Sequence, residues 1–350
     1  APREATRKRH TSVAGTDTVV VDNASSDDTV AFVRERFPAV EVVEQENLGL
    51  AAGWARGLEE IPPSRWALIL NADAWLTGDA LERMVAVGDA HPDAAIVAPK
   101  LLNPDGSLQR SVRGFPTRWR LATEYFYLRK LGRRTELLNG FYGAGFDHAS
   151  EREVECVMGA CMLVRRAAID DVGPPDASFF LFSEEVDWCY RFAQAGWSTR
   201  FTPEARCVHV GGASHGGRLY RENLRGHLRF FLKHHGAEEA ERVRSLLHRA
   251  LVLRGRIVPG EKGAIYRDAA RWIVAEAASQ LGCGSASIHE LYMARGRGEI
   301  GGFTVPAINI RGMAYDTARA LFRARKALDA GAVICEIARS EISYTDQRPA

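Results

Sequence analysis

Short apolar runs separated by polar, helix-patterned stretches fill the first part of the chain. Thr18-Val19-Val20-Val21 is β-branched and reads as a buried strand. It runs into Asp22-Asn23-Ala24-Ser25-Ser26-Asp27-Asp28. There Ser26 or Asp27 can cap a helix that carries Val30, Val33 and Phe37 on one face. Pro38 ends that helix, and Val40 to Val43 is the next strand. Strand, polar loop, helix and strand make the βαβ unit of a parallel sheet. Asn47-Leu48-Gly49-Leu50-Ala51-Ala52-Gly53-Trp54-Ala55-Arg56-Gly57 follows, with glycines every four residues, one face of a helix. Each glycine inside a helix costs about 1 kcal/mol relative to Ala. The stripe therefore predicts close approach, either of the sheet or of a ligand.

Trp66 to Leu70 is a third apolar strand, Asp79 to Gly88 a helix, and Ala94 to Ala98 a short strand. Asn103-Pro104-Asp105-Gly106 is a tight turn. Between 110 and 150, Arg110, Arg113, Arg118 and Arg120 alternate with aromatic residues, and glycines at 140, 143 and 145 break regular structure. This stretch reads as a mobile, basic, aromatic segment, either a cover for a ligand or a surface excursion. Glu155 to Val164 is apolar around Gly159-Ala160, and Arg165-Arg166 opens a helix. Thr199 to Val210 is the last strand region, ending at His209 before a glycine-rich turn. Arginines then dominate 218–256 beside Leu224, Leu228, Phe231 and Leu232. That pattern fits a basic amphipathic helix pair, which either covers the sheet or lies on an anionic membrane surface.

Composition narrows the class. Apolar residues make up 46% and charged residues 26% of the 350 positions, ordinary for a globular protein with a full core. The net charge of +2 gives no global field for nucleic acid. Six cysteines show neither CxxC nor zinc-type spacing, which predicts reduced, packed thiols and a cytoplasmic setting. No apolar run has the length of a membrane span, and no signal peptide is visible. The chain opens with Ala1 and a polar, basic stretch, so residues 1–16 are expected to be a disordered lead or the scar of a truncation.

Chemistry concentrates after the strands. Ligands of parallel sheets sit beyond the carboxyl ends of strands. Asp22 and Asp73 stand at such ends. Asp22 suits a nucleobase edge or ribose hydroxyl, or equally shapes the turn. Asp73 is a hard oxygen ligand suited to Mg²⁺ or Mn²⁺. His209 is either a metal ligand or a structural histidine. Phe179-Phe180-Leu181-Phe182 leads into Glu184, Glu185 and Asp187. Carboxylates packed against aromatic residues hold a metal, pair with a cation or move a proton. An acidic first helical turn is the simpler alternative.

Over about residues 17–260 these motifs resemble the inverting family 2 glycosyltransferases of the GT-A fold, most of all the rhamnosyltransferase-like members that build cell-surface polysaccharide. The base-binding Asp of the family falls on Asp22. Its glycine motif falls on Asn47 to Gly57, with Trp54 where Asn is usual, and its metal motif on Asn71-Ala72-Asp73-Ala74. The GAxMLxRR segment falls on Gly159 to Arg166, the catalytic-base motif on Glu184-Glu185-Val186-Asp187, and the His-x-x-Gly-x-Ser motif on His209, Gly212 and Ser214. The family opens with a further inner strand, reading like Val-Ile-Val-Thr-Tyr-Asn, that nothing here supplies. The resemblance implies an α/β, mostly parallel sheet and a nucleotide-diphosphate sugar donor with a glycan or lipid-linked acceptor. It implies Asp22, Asn47, Gly49, Gly53 and Asn71 around the nucleotide, and Asp73 and His209 on Mg²⁺ or Mn²⁺. Glu185 would be the base, with Glu184 and Asp187 orienting it or the acceptor.

The expected organisation is a transferase domain at 17–217, basic helices at 218–280 and a separate tail at 285–350. In that tail Gly302–Gly312 reads as a strand, Met313–Ala330 as a helix and Ala332–Ile337 as a strand. This resembles the opening βαβ of a class II fructose-bisphosphate aldolase-type barrel, which implies a junction of two gene fragments near 275–290. A lyase of that type and an inactive fused remnant are the alternatives to the transferase.

Overall fold

The structure, a computed structural model, describes residues 17–132, 135–143, 145–211, 217–280, 299–300 and 303–304. It divides into two compact units, Ala1–Gly226 and His227–Ala350. The first unit opens with β1 (Val19–Asn23), α1 (Thr29–Arg36), β2 (Glu41–Gln45), α2 (Leu50–Glu60), β3 (Trp66–Leu70), β4 (Ala74–Thr77), α3 (Ala80–Ala90) and β5 (Ala94–Leu102). After β6 (Val112–Arg113), α4 (Arg118–Tyr125) and α5 (Glu136–Asn139) come β7 (Arg152–Val154), β8 (Cys156–Val157) and β9 (Cys161–Arg165). The unit continues with α6 (Arg166–Val172), α7 (Glu184–Gln194) and β10 (Ser198–His209).

The α/β class is the expected one, and the βαβ unit is present: β1 and β2 pair in parallel. The main sheet is more mixed than the sequence suggests. Its order is β3-β9-β5-β10-β4, with β7 also on β10. Only β5 and β10 pair in parallel there, because β9 runs antiparallel between β3 and β5. Four of the five residues of β9 are buried, so its apolar sequence suits this central place. Around it Leu70, Met84, Val97, Leu101, Leu163 and Cys207 pack into one core.

The glycine stripe resolves into three different demands. Gly49 caps α2 from outside with φ +96°, and a Cβ there would lie 2.3 Å from the Phe180 carbonyl oxygen. The same carbonyl accepts from the Leu50 N–H at 2.7 Å. Gly53 faces Asn23 closely, whereas a Cβ on Gly57 would meet only Val21 at 3.4 Å. The close approach thus joins the glycine loop to the segment that leads into α7.

The arginine-rich stretch expected to be mobile is anchored instead. Arg120 bonds both oxygens of Glu155, at 2.6 and 2.7 Å, and Glu136 at 2.8 Å. Leu121 and Tyr125 are buried. The N-cap of α1 is Asp28, without a side-chain cap bond, rather than Ser26 or Asp27, although Asp27 accepts from the Thr29 N–H at 3.0 Å.

Helix α8 (Gly217–Ile257) leads into the second unit and is interrupted at Gly236, whose φ of 82° is non-helical. Within that unit α8 and α9 (Gly260–Gln280) are tied by His248 Nδ1 donating to the Ala270 carbonyl at 3.1 Å and Arg267 to Gly255 at 2.8 Å. Val243, Leu247 and Leu251 are buried, and Arg242 and Arg244 pair with glutamates of their own helix. Part of the basic amphipathic pattern is therefore spent on contacts within the chain, and membrane contact through it gains no support. Among the described residues no helix is long and apolar enough to cross a membrane. Among the described residues the tail contributes the antiparallel pair β11 (Glu299–Ile300) and β12 (Phe303–Thr304), and most of the expected strand at 302–312 lies outside them. The expected helix at 313–330 and strand at 332–337, like the expected lead at 1–16, lie outside the described residues.

Substituting Gly49→Ala is expected to lower stability by about 1–3 kcal/mol, since it adds both a strained φ and a backbone clash. Gly57→Ala is expected to be neutral or stabilising by up to about 1 kcal/mol, because an interior helical position gains propensity. Urea denaturation of the two variants checks the contrast.

Candidate active site

The end of β3 and the end of β10 meet. The Asn71 N–H bonds the Ala160 carbonyl at 3.0 Å, and the Ala74 N–H bonds Asn71 at 3.1 Å, closing a tight turn that carries Asp73. In the antiparallel register of β4 and β10, Ala74 lies opposite His209. Asp73 is therefore fixed beside the last residues of β10. Its carbonyl accepts from Val210 at 3.0 Å, its Oδ2 from the Gly211 N–H at 3.0 Å, and its Oδ1 is 3.3 Å from His209 Nε2. The His209 hydrogen bond, with its charge and the Gly211 N–H, holds the Asp73 carboxyl below its ordinary range despite partial burial. On the other side of the ring, Nδ1 bonds Gln109 Oε1 at 2.7 Å. The Gln109 amide nitrogen in turn donates to Asn103 Oδ1 at 3.0 Å and to the His209 carbonyl at 3.3 Å.

This pair fits a divalent cation. Two ligands on one Mg²⁺-sized ion, each at about 2.1 Å, sit about 3 Å apart, close to the 3.3 Å observed. A ring held by an outer partner at Nδ1 presents Nε2 as the ligand. Among the described residues no three His, Cys, Asp or Glu side chains are placed to hold one metal ion together. The remaining positions would then fall to phosphate oxygens and water, the usual way such ions are held.

Asp22 and Asn71 line, with Asp73, a cavity of about 690 Å³. Both sequence readings of Asp22 hold at once: it borders the cavity, and its Oδ2 accepts from the Ser25 N–H at 3.0 Å to close the turn. Asn71 Oδ1 is buried without a hydrogen-bond partner. Gly53 lines the cavity, but Asn47 and Gly49 do not. Asn47 instead accepts from the Gly49 N–H at 3.3 Å and shapes the loop. Trp54, buried, lies over Gly159, where a Cβ would come within 2.3 Å of its ring.

The acidic cluster sits at the first turn of α7. Phe182 and Ser183 precede it with φ of 68° and 69°, left-handed values that cost energy for residues with a Cβ. Gly226 permits close approach to this turn, since a Cβ there would be 2.7 Å from the Phe182 carbonyl oxygen. Glu184 is buried and Glu185 half-buried. First-turn backbone N–H groups bond both carboxyls, yet Oε2 of each is buried without a partner. Burial pushes both pKa values up, and the charge of Glu185 raises Glu184 further. Arg113 opposes the rise at Glu185. Its own guanidinium is buried, bonds the Val112 carbonyl at 2.9 Å and lies 5.0 Å from the Tyr142 ring centre.

Asp187 has a different surrounding. It is fully buried and accepts from Arg191 Nε at 2.9 Å. Arg191 also donates to the Val172 and Pro174 carbonyls at 3.0 and 2.7 Å, and Trp188 donates to Gly173 at 3.0 Å. Asp187 thereby ties α7 to the end of α6.

Two connections relate the acidic turn to the strand ends. Phe180, just before it, holds the glycine loop. Gln109 touches His209 while Arg113 faces Glu185. Four residues apart, these two have Cα atoms at most ~14 Å from each other. Sequence reading missed Gln109 and the particular role of Arg113. The only sequence signal was the Gln109–Arg113 stretch directly after the 103–106 turn.

The model of "Glycosyltransferase like family 2" matches residues 8–227. The chain belongs to that family. The matched region contains every residue of the candidate site, and the family's GT-A fold accounts for the mixed α/β sheet. A curated relative, the N-acetylglucosaminyl-diphospho-decaprenol L-rhamnosyltransferase of Mycobacterium tuberculosis, is 26% identical over 202 residues, 55% of this chain and 65% of the relative. A second, the low-salt glycan biosynthesis hexosyltransferase Agl10 of Haloferax volcanii, is 25% identical over 124 residues, 35% of each chain. The chain thus spans less than two thirds of the length of either. Among solved structures, GalNAc-T7 with UDP, GalNAc and Mn²⁺ aligns with 76% of this chain and 52% of its own, at TM-score 0.47 and 14% identity. The family match stops short of the tail, so the aldolase-type resemblance of 285–350 stays a reading of sequence alone.

Replacing Asp187→Ala is expected to cost about 3 kcal/mol by leaving the Arg191 guanidinium without its carboxylate. Guanidinium denaturation monitored by circular dichroism measures it. A loss below about 0.5 kcal/mol would show that the pair does not carry the fold.

Proposed function

We propose that the chain transfers a sugar, rhamnose-like, from a nucleotide-diphosphate donor to a glycan or lipid-linked acceptor, with inversion at the anomeric carbon. The observation that carries this reading is the Asp73–His209 pair, 3.3 Å apart at the end of one strand pairing, joined through the 109–113 segment to the half-buried Glu185. The nucleoside end of the donor lies along the cavity bordered by Asp22 and Asn71. Asp73 and His209 would hold Mg²⁺ or Mn²⁺. When bound, that ion neutralises charge on the departing diphosphate. The 26% identity to a rhamnosyltransferase over 202 residues supports the donor class.

Glu185 accepts the proton of the acceptor hydroxyl as its oxygen bonds to the anomeric carbon and the bond to the diphosphate breaks. A carboxyl raised by burial is a better base than an exposed one, provided that it is ionised at working pH. Arg113 favours its ionised form, and Glu184 beside it orients the acceptor. Asp187 acts at a distance, by holding the helix that carries both.

Assays with nucleotide sugars, with and without EDTA, test the reading, and transfer that survives EDTA rejects the metal role. Glu185→Gln is expected to lower kcat by about 10²–10⁴-fold while nucleotide binding persists. Unchanged turnover would remove Glu185 from the chemistry. The ionised carboxylate is the active form, so the acidic limb of the pH–rate profile should lie above the ordinary Glu range. Arg113→Met removes the charge that favours ionisation, so the limb should move to higher pH. A limb that stays put or moves down would break the link between Arg113 and Glu185.

A further inference from the structure

The turn that follows β5 runs beside the last residue of β10. Leu102 lies opposite Val208 in the parallel pairing of the two strands, so residues 103–109 continue at the level of His209. The Asn103 N–H closes the turn on the Ser107 carbonyl at 2.8 Å, and the Gln109 N–H returns to the Leu101 carbonyl at 2.9 Å. The side chains of this turn form an unbroken series of hydrogen bonds. His209 Nδ1 is 2.7 Å from Gln109 Oε1, and Gln109 Nε2 is 3.0 Å from Asn103 Oδ1. Asn103 Nδ2 is 2.9 Å from Ser107 Oγ, which is 2.6 Å from Asp105 Oδ1.

Both ends of the series allow one direction only. The Ser107 hydroxyl and N–H hold the Asp105 carboxyl below its ordinary range, so it is ionised and only accepts. Ser107 gives its hydroxyl proton to Asp105 and accepts from the Asn103 amide, whose oxygen then faces Gln109. At the other end, Gln109 Nε2 also lies 3.3 Å from the His209 backbone carbonyl, which cannot donate. Turning the Gln109 amide over would set two oxygens against each other there, and reversing the whole series would take the Ser107 hydroxyl from Asp105. Gln109 Oε1 therefore accepts from Nδ1, and neutral His209 keeps its free electron pair on Nε2, 3.3 Å from Asp73 Oδ1. Gly211 leaves room for this arrangement. Its φ is +57°, and a Cβ there would lie 3.3 Å from both Gln109 Nε2 and His209 Cε1.

We infer that Asp105, Ser107, Asn103 and Gln109 form a one-way relay that sets the tautomer of His209, so that Nε2 is ready for a divalent cation before the cation arrives. All four are positioning residues and act through His209. Each donated bond strengthens the next along the series. Without the relay, the Asp73 carboxylate is the strongest acceptor beside the ring. It would draw the proton to Nε2, where it blocks the ligand position. The inference rests on the reading of Asp73 and His209 as ion ligands, and the test separates the two.

Nitrogen-15 spectra of the metal-free full chain, labelled at histidine, are recorded at about pH 8.5, well above the usual histidine pKa. The His209 signals are those lost in His209→Gln. The wild-type chain should show a protonated Nδ1 and an unprotonated Nε2. Gln109→Leu should move the proton to Nε2, whereas Gln109→Glu keeps an acceptor against Nδ1 and should retain the wild-type tautomer. In a second arm Mn²⁺ is titrated in with a nucleoside diphosphate present. Gln109→Leu should weaken binding by about 10–100-fold, the usual loss when a ligating histidine loses its outer partner. Ser107→Ala should weaken it less, in the same direction. A protonated Nε2 in the wild-type chain, an unchanged tautomer in Gln109→Leu, or wild-type Mn²⁺ binding by Ser107→Ala would each overturn the relay. Wild-type Mn²⁺ binding by His209→Gln would instead overturn the ligand reading, and with it the purpose assigned to the relay, while the tautomer result stands.

Discussion

The contact between Asp73 and His209 exists because β4 and β10 pair in one register, with Ala74 opposite His209. Side chains alternate along a strand, so a slip of one residue would turn His209 to the opposite face. The register is well specified, because β10 is buried through most of its length and pairs with β5 and β7 as well as β4. Gln109 then fixes the ring from the far side, and the Gly211 N–H fixes the carboxylate. Both side chains are thus held in place from outside their mutual hydrogen bond.

The acidic turn is governed by a different balance. Burial disfavours charge on Glu184 and Glu185, while the first-turn N–H groups and Arg113 favour it. Two consecutive left-handed residues with side chains, Phe182 and Ser183, hold that turn in a costly shape. Backbone strain of this kind persists where the surroundings over-determine it. Here Phe180 is gripped by the glycine loop, Gly226 admits a helix closely, and Asp187 with Arg191 clamps the next turn. The strain and the clamp sit on either side of the two unpartnered carboxylate oxygens.

Much of this was legible in sequence, for physical reasons. Strands with apolar residues on both faces appear as unbroken runs, so β1, β3 and β9 were visible at once, although only β9 is buried along nearly its whole length. Polar residues at their ends, Asp22, Asp73 and His209, were visible as interruptions. The antiparallel insertion of β9 was not, because periodicity carries no strand order. Gln109 was hidden for a related reason: its partner lies 100 residues away. The glycine stripe signalled close approach but could not separate Gly49, which requires its φ and its space, from Gly57, which requires neither. Arg113 read as one arginine among several, and only burial beside Glu185 distinguishes it.

The central claim is that Asp73 and His209 jointly hold a divalent ion once a nucleoside diphosphate is present. Electron spin echo spectroscopy of Mn²⁺ added to the full chain with a nucleoside diphosphate addresses it directly. The account predicts coupling to a single imidazole nitrogen that vanishes in His209→Gln and is weak or absent without the nucleotide. A spectrum lacking nitrogen coupling, or one unchanged by His209→Gln, would contradict it.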